Sequence, residues 1–213
     1  MSPAGTHRPD VGIAMTTPSA EWDSAYEGSP APWDIGRPQP AFVRLADDGL
    51  LSSRLLDAGC GTGEHVLLAA AHSADAMGVD VSGLAIEKAR AKAAERGLTA
   101  RFEAADALHL ERLGEQFGTV IDSGLFHVFD DADRPRYVTS LASVVEPGGT
   151  YYMMCFSDKQ PGIWGPRRVR EEEIRAAFAD GWEIMSLTRD QFSVNPIHGN
   201  TVAQAWLAVI RRR

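Results

Sequence analysis

From residue 55 onward, short runs of apolar and β-branched residues alternate with longer stretches whose apolar positions recur at spacings of three and four. The alternation predicts strands at 54–58, 76–80, 100–103, 119–122 and 150–156. Helices are predicted at 64–71, 84–96 and 134–145. A further helix is expected at 171–179, followed by two β-rich runs, 182–192 and 202–210, with no helix between them. Alternating strands and helices build parallel βαβ units, whereas two adjacent β runs form a hairpin. The expected fold class is therefore α/β: a mostly parallel sheet with helices on both faces and a C-terminal antiparallel hairpin. Ahead of it, residues 1–18 are rich in Pro, Ser, Thr and Gly and read as a disordered leader. Residues 19–53 read as an N-terminal cap segment with a helix, and 54–213 as the main domain.

Composition narrows the partners. With 213 residues, 44% hydrophobic and 23% charged, the chain suits one globular domain. Lys plus Arg number 21 against 29 Asp plus Glu, a formal net charge of -8 that opposes nucleic acid and anionic membrane surfaces. The run Arg211, Arg212, Arg213 reads as a solvated tail. The first 20 residues lack a secretory core, and no window approaches the roughly 18 to 20 apolar residues of a membrane span. Two cysteines, Cys60 and Cys155, suit a reducing compartment, so the cytoplasm is expected; both read as small packed residues. No H-x-x-x-H or C-x-x-C spacing suggests a metal site, and none is expected.

The candidate chemistry begins where the first strand meets a helix, at Asp57-Ala58-Gly59-Cys60-Gly61-Thr62-Gly63. Three alternate glycines behind an acid at a strand end exceed the needs of a turn and let a ligand approach backbone closely. Dinucleotide-binding loops carry a third glycine one position later. Here that position is Glu64, a carboxylate that repels pyrophosphate and suits a cationic ligand. Asp80 ends the second strand 17 residues after Gly63, where an acid accepts hydrogen bonds from ribose hydroxyls. Asp106 follows the third strand. All three strand ends fall along the carboxyl edge of the sheet.

Taken together, these residues resemble the class I S-adenosylmethionine-dependent methyltransferases over residues 54–210. Asp57 to Gly63 resemble that family's first motif, Asp80 its ribose-binding acid and Asp106 its adenine-contacting acid; Pro147-Gly148-Gly149 and the terminal hairpin also match. The resemblance implies a Rossmann-like seven-stranded sheet and bound S-adenosyl-L-methionine, with Val81, Ala107 and Ser123 joining Asp57, Gly59, Gly61, Gly63, Asp80 and Asp106 on the cofactor side. The aromatic segment holding Trp22, Tyr26 and Trp33 is similar to the cap of the small-molecule branch: thiopurine, tellurite-resistance and heterocyclic-toxin methyltransferases. By that similarity Trp22 and Trp33 enclose the cofactor's methionine part and the substrate.

After the fourth strand comes Asp122-Ser123-Gly124-Leu125-Phe126-His127-Val128-Phe129. It lacks the Asn-Pro-Pro-Tyr of enzymes that methylate amino groups of DNA bases, which disfavours base-flipping chemistry. His127 is the candidate general base, with an ordinary pKa of about 6.5; packing against backbone is the alternative reading. Alignment of the reactants supplies about 7 to 11 kcal/mol and a base about 3 to 5, so an already ionised acceptor needs no base. His198 and Trp164 are candidates to border the pocket. The expected function is S-adenosylmethionine-dependent methyl transfer to the O, S or N atom of a small aromatic or heterocyclic acceptor, by a monomer or weak homodimer. A nicotinamide-dependent oxidoreductase and a non-catalytic cofactor-binding module are the alternatives.

Overall fold

A computed structural model describes residues 19–51 and 54–213. The leader expected at 1–18 lies outside the described residues. One seven-stranded sheet has the order β3-β2-β1-β4-β5-β7-β6. Its strands are β1 (Arg54–Ala58), β2 (Asp75–Asp80), β3 (Arg101–Ala104), β4 (Phe117–Ser123), β5 (Val145–Phe156), β6 (Trp182–Ile197) and β7 (Asn200–Arg212). The first five pair in parallel, and β7 runs antiparallel between β5 and β6. The strand order reverses between β1 and β4, and the two loops leaving that point diverge to opposite faces, opening a crevice at their carboxyl ends.

Alternating side chains of the strands feed two cores. Leu56, Val120 and Tyr151 pack on one face with α5 (Asp133–Val144) and α6 (Glu171–Ala177). Leu55, Ile121 and Tyr152 pack on the other with α2 (Pro40–Asp47), α3 (Glu64–Ala71) and α4 (Gly83–Glu95). A short helix α1 (Ser19–Ala25) begins the described chain. Ser82 caps α4 by accepting from the Ala85 amide at 3.1 Å.

Three boundaries differ from the expectation. β5 starts at Val145 because α5 runs directly into it, so Pro147-Gly148-Gly149 sits within the element, where the β4 register shifts. A Cβ at Gly149 would stand 2.8 Å from the Glu146 carbonyl and 3.1 Å from that of Gly118, so only glycine lets these backbones approach. The hairpin strands extend until just His198 and Gly199 remain between them, both at positive φ as tight hairpin turns require. Arg211 and Arg212 are no loose tail: they pair with Thr150 and Trp182, and the Arg213 amide donates to the Gly181 carbonyl at 3.0 Å. The backbone there is sheet and the Arg212 guanidinium donates to the Val145 carbonyl, while the Arg211 and Arg213 side chains are exposed.

Candidate functional site

A cleft of about 580 Å³ opens over the switch point. It is walled by the β1–α3 loop, the end of β2, the segment after β4, the loop after β5, the hairpin and the N-terminal segment. Of the residues expected at the cofactor, Gly59, Gly61, Asp80, Val81, Ala107 and Ser123 line it, as do Trp22, Trp33 and His127. Asp57, Gly63 and Asp106 do not.

At the polar end, Asp80 holds the glycine loop. Its Oδ2 accepts from the Gly61 amide at 2.8 Å and its Oδ1 from the Ser82 amide at 2.9 Å. Burial pushes its carboxyl upward despite those bonds. The glycines answer to protein neighbours as much as to a ligand. At Gly61, φ is +51° and a Cβ would lie 2.9 Å from the Tyr26 hydroxyl; at Gly63, φ is +85° and a Cβ would meet Ala89 and Phe102 at 2.8 Å. Gly63 therefore serves the packing of α3 beneath the loop. Asp106 caps the 3-10 helix Ala107–Leu113, its Oδ1 accepting from the Leu108 amide at 2.9 Å, while its neighbours Ala105 and Ala107 reach the cleft.

Glu64 departs from its expected meaning. Lys92 of α4 and Arg96, the residue just after that helix, both bind it at 2.8 Å and hold its carboxyl below the usual range against the opposing effect of burial. Its charge is neutralised within the protein and is not reserved for a cationic ligand. Asp57 is the opposite case. It is 1% exposed, and neither carboxyl oxygen has a hydrogen-bond partner among the described residues. His65 Nδ1 lies 3.9 Å from its Oδ2. Burial, with Asp122 and Asp80 close by, drives the Asp57 carboxyl well above the ordinary range.

At the other end the walls are aromatic. His127 stands edge-on to Phe156 and Phe192, and Phe156 stands edge-on to Trp164. His127 Nδ1 accepts the Phe156 amide at 2.9 Å. The neutral ring therefore carries its proton on Nε2. Burial, together with the Arg134 and Arg168 charges, lowers its pKa to about 3. In this arrangement the ring is a donor towards the cleft; the packed, backbone-bonded reading describes its geometry better than that of a free base. Trp164 lines the cleft, whereas His198 at the hairpin tip does not.

The cap is fastened at several points. Asp23 accepts from the Ser82 hydroxyl at 2.6 Å and the Leu84 amide at 3.1 Å at the start of α4. Trp33 donates to the Tyr26 hydroxyl at 3.2 Å, and its ring meets those of Trp22 and Tyr26 edge-on. Sequence reading passed over Gln39, whose amide side chain donates to the Ser193 carbonyl at 2.9 Å and accepts from the Ser193 amide at 2.8 Å. It also passed over His65, which accepts from the Gln39 amide at 3.1 Å. A histidine in the first turn of the helix that follows the loop was the signal available.

Residues 55–149 match the methyltransferase domain family. The chain is 34% identical over 184 residues to a 2-heptyl-1-hydroxyquinolin-4(1H)-one methyltransferase of Mycobacteroides abscessus, covering 82% of this chain and 81% of that protein. It belongs to the S-adenosylmethionine-dependent methyltransferases. A probable thiol methyltransferase of Arabidopsis thaliana is 26% identical over 191 residues, covering 88% of this methyltransferase and 84% of its relative. A protein solved in work on the conversion of a disulfide bond into a thioacetal group during echinomycin biosynthesis superposes with a TM-score of 0.83 at 37% identity, covering 91% and 92% of the two chains.

The donor set of this methyltransferase fits its cofactor. The positive-φ glycine loop, Asp80 and Ser123 give the cleft a polar end for a nucleoside. Asp80 at the cleft wall and the unpartnered Asp57 behind the loop are carboxyl groups whose ionised form a ligand carrying ammonium and sulfonium charges would favour. Among the described residues no helix is long and apolar enough to cross a membrane.

Proposed function

We propose that this methyltransferase acts on a small aromatic or heterocyclic acceptor at an ionisable O, S or N atom. One observation carries the reading: a single cleft joins the glycine-loop wall to a wall of Phe156, Phe192, Trp164 and His127. Its volume accommodates a nucleoside and a flat ring. Two relatives support it, one a hydroxyquinolone methyltransferase and the other a probable thiol methyltransferase.

Bound S-adenosylmethionine supplies a methyl carbon made electrophilic by the sulfonium sulfur. The chain's own residues orient and exclude. Asp80 holds Gly61 and Ser82 and keeps lone pairs towards the nucleoside hydroxyls; Val81, Ala105 and Ala107 flank the base, with Asp106 at its edge. Asp57 draws the cationic part towards the β1 end beside Gly59 and Ser123. Trp22 and Trp33 close the cleft from the cap, and the rings of Phe156 and Phe192 hold the acceptor flat and dry. In-line placement of this kind accounts for about 7 to 11 kcal/mol of barrier lowering.

On this reading residues 19–53 form the cap and 54–213 the catalytic domain of a cytoplasmic monomer or weak homodimer that binds neither nucleic acid nor membrane. The test is transfer of labelled methyl from S-adenosylmethionine to a panel of phenols, thiols and N-hydroxy heterocycles. Transfer to at least one aromatic member is expected. Cofactor binding with no transfer across the panel would overturn the acceptor assignment.

A further inference from the structure

One polar ring faces the acceptor end of the cleft. His127 offers Nε2–H, because Nδ1 is committed to the Phe156 amide, and Nε2 has no partner among the described residues. Arg134 of α5 and Arg168 of the loop after β5 are the charged groups that act on His127; the rings packed on it, Phe156 of β5 and Phe192 of β6, carry no charge. The carboxylates are spoken for. Asp122 accepts from the Leu125 and Phe126 amides and from the Tyr137 and Tyr151 hydroxyls, Asp131 binds Arg167, Glu173 binds both Arg167 and Arg134, and Asp130 accepts from the Ala132 and Asp133 amides.

We propose that the acceptor binds already ionised, as an aryl or heteroaryl oxyanion or thiolate, and that His127 receives the anionic atom as a hydrogen-bond donor through Nε2–H rather than removing its proton. This rests on the methyl-transfer reading above and names its substrate class. A donor facing the cleft cannot at the same time be a proton acceptor. Arg134 is ion-paired with Glu173, whereas Arg168, whose guanidinium donates to the Pro166 and Gly162 carbonyls, disfavours a second proton on the ring and favours an anion beside it; a charge-assisted bond to that anion is stronger than one to the neutral acid. The acceptor's proton leaves to water before transfer. In the transfer itself the anion's lone pair forms the new bond to the methyl carbon, the carbon–sulfur bond breaks with its pair remaining on sulfur, and no proton changes hands. Aromatic hydroxyl, N-hydroxy and thiol compounds ionising near neutrality are the acceptors this end selects; aliphatic alcohols are not.

The experiment has two arms on the full chain. In the first, 4-nitrophenol and 4-nitrothiophenol are titrated by absorbance with the protein and S-adenosylhomocysteine, which permits no turnover. Their apparent pKa is expected to fall by about one unit on binding, roughly a tenfold preference for the anion; His127→Phe removes most of that shift and His127→Gln, which keeps an N–H donor, retains part of it. A chromophore bound in its neutral form overturns the proposal. In the second arm, kcat/KM against pH is measured for acceptors of graded acidity. The acid limb is expected to move with each acceptor's own pKa; a limb fixed at one pH for every acceptor and lost in His127→Gln restores a histidine base and overturns it. Calorimetric binding of S-adenosylhomocysteine and transfer to any panel member are scored separately. Their failure sinks the methyl-transfer reading, whereas their success with a neutral bound chromophore sinks only this inference.

Discussion

The contacts that shape the glycine-loop end join residues close in sequence: Gly61 to Asp80 across 19 positions and Glu64 to Lys92 across 28. Those that shape the aromatic end reach across the whole chain, Gln39 to Ser193 over 154 positions and Asn195 to the Ala31 carbonyl over 164. The first end is the product of one βαβ unit and the helix that follows it. The second is an assembly of cap, β5 and hairpin, each of which must already be in place. Local architecture fixes where a nucleoside goes, and long-range architecture fixes what meets it.

The strongest way to break this distinction is Gly63→Val. A branched side chain at φ +85°, with Ala89 and Phe102 already at 2.8 Å from a Cβ, should remove about 3 kcal/mol or more and take both ends with it, read as a collapse of the urea midpoint. Acid separates the ends next. The pKa of His127, lowered in the fold to about 3, means that the unfolded chain takes up a proton first, so stability is lost as pH falls below about 6.5, by up to about 1.4 kcal/mol per unit. At the glycine-loop end His65, lowered by burial to about 4, has the same sign, but Asp57 and Asp80 have raised values and oppose it: their burial weighs least near pH 4 and increasingly as pH rises through the folded values. Hydrogen exchange from pH 6.5 to 4 should therefore quicken at 124–129 relative to 57–63. Parallel behaviour of the two segments would remove the distinction.

Gln39→Ala strips both bonds from Ser193 at a buried position and should cost about 2 kcal/mol. Calorimetry should find acceptor affinity weakened more than tenfold and S-adenosylhomocysteine affinity less than threefold; equal losses would show the ends to be one unit. The smallest effect is a gain. Asp57→Asn relieves an unpaired buried carboxylate and should raise stability at pH 8 by about 1 kcal/mol while weakening cofactor binding, seen as a higher melting temperature with a smaller shift on adding S-adenosylhomocysteine.

How much was legible follows the same division. β1 and α3 fall where the hydrophobic pattern put them, because a strand, a glycine loop and an amphipathic helix are each decided within a dozen residues. The approach of Asp80 to Gly61 followed from parallel strands having adjacent carboxyl ends. The charge of Glu64 was misjudged because its partners lie at the end of another helix, although Lys92 in the last turn of α4 and Arg96 just after it, four apart, share one side. The tautomer of His127 depends on a backbone amide of β5, and no side-chain pattern encodes which amide a strand turns towards a ring. Arg211 and Arg212 looked like tail because three arginines carry no β signal of their own; the pairing is supplied by Thr150 and Trp182.

The lacing of Gln39 to Ser193, and of Asn195 to the carbonyls of Ala31 and Asp34, also sets a timetable. During synthesis the cap leaves the ribosome well before its partner strand. At about 5 to 20 residues per second, the 154 positions between them amount to roughly 8 to 30 seconds in which Trp22, Tyr26 and Trp33 have no hairpin to fasten against. The nucleoside half of the enzyme can be complete on the ribosome before the acceptor half begins to exist.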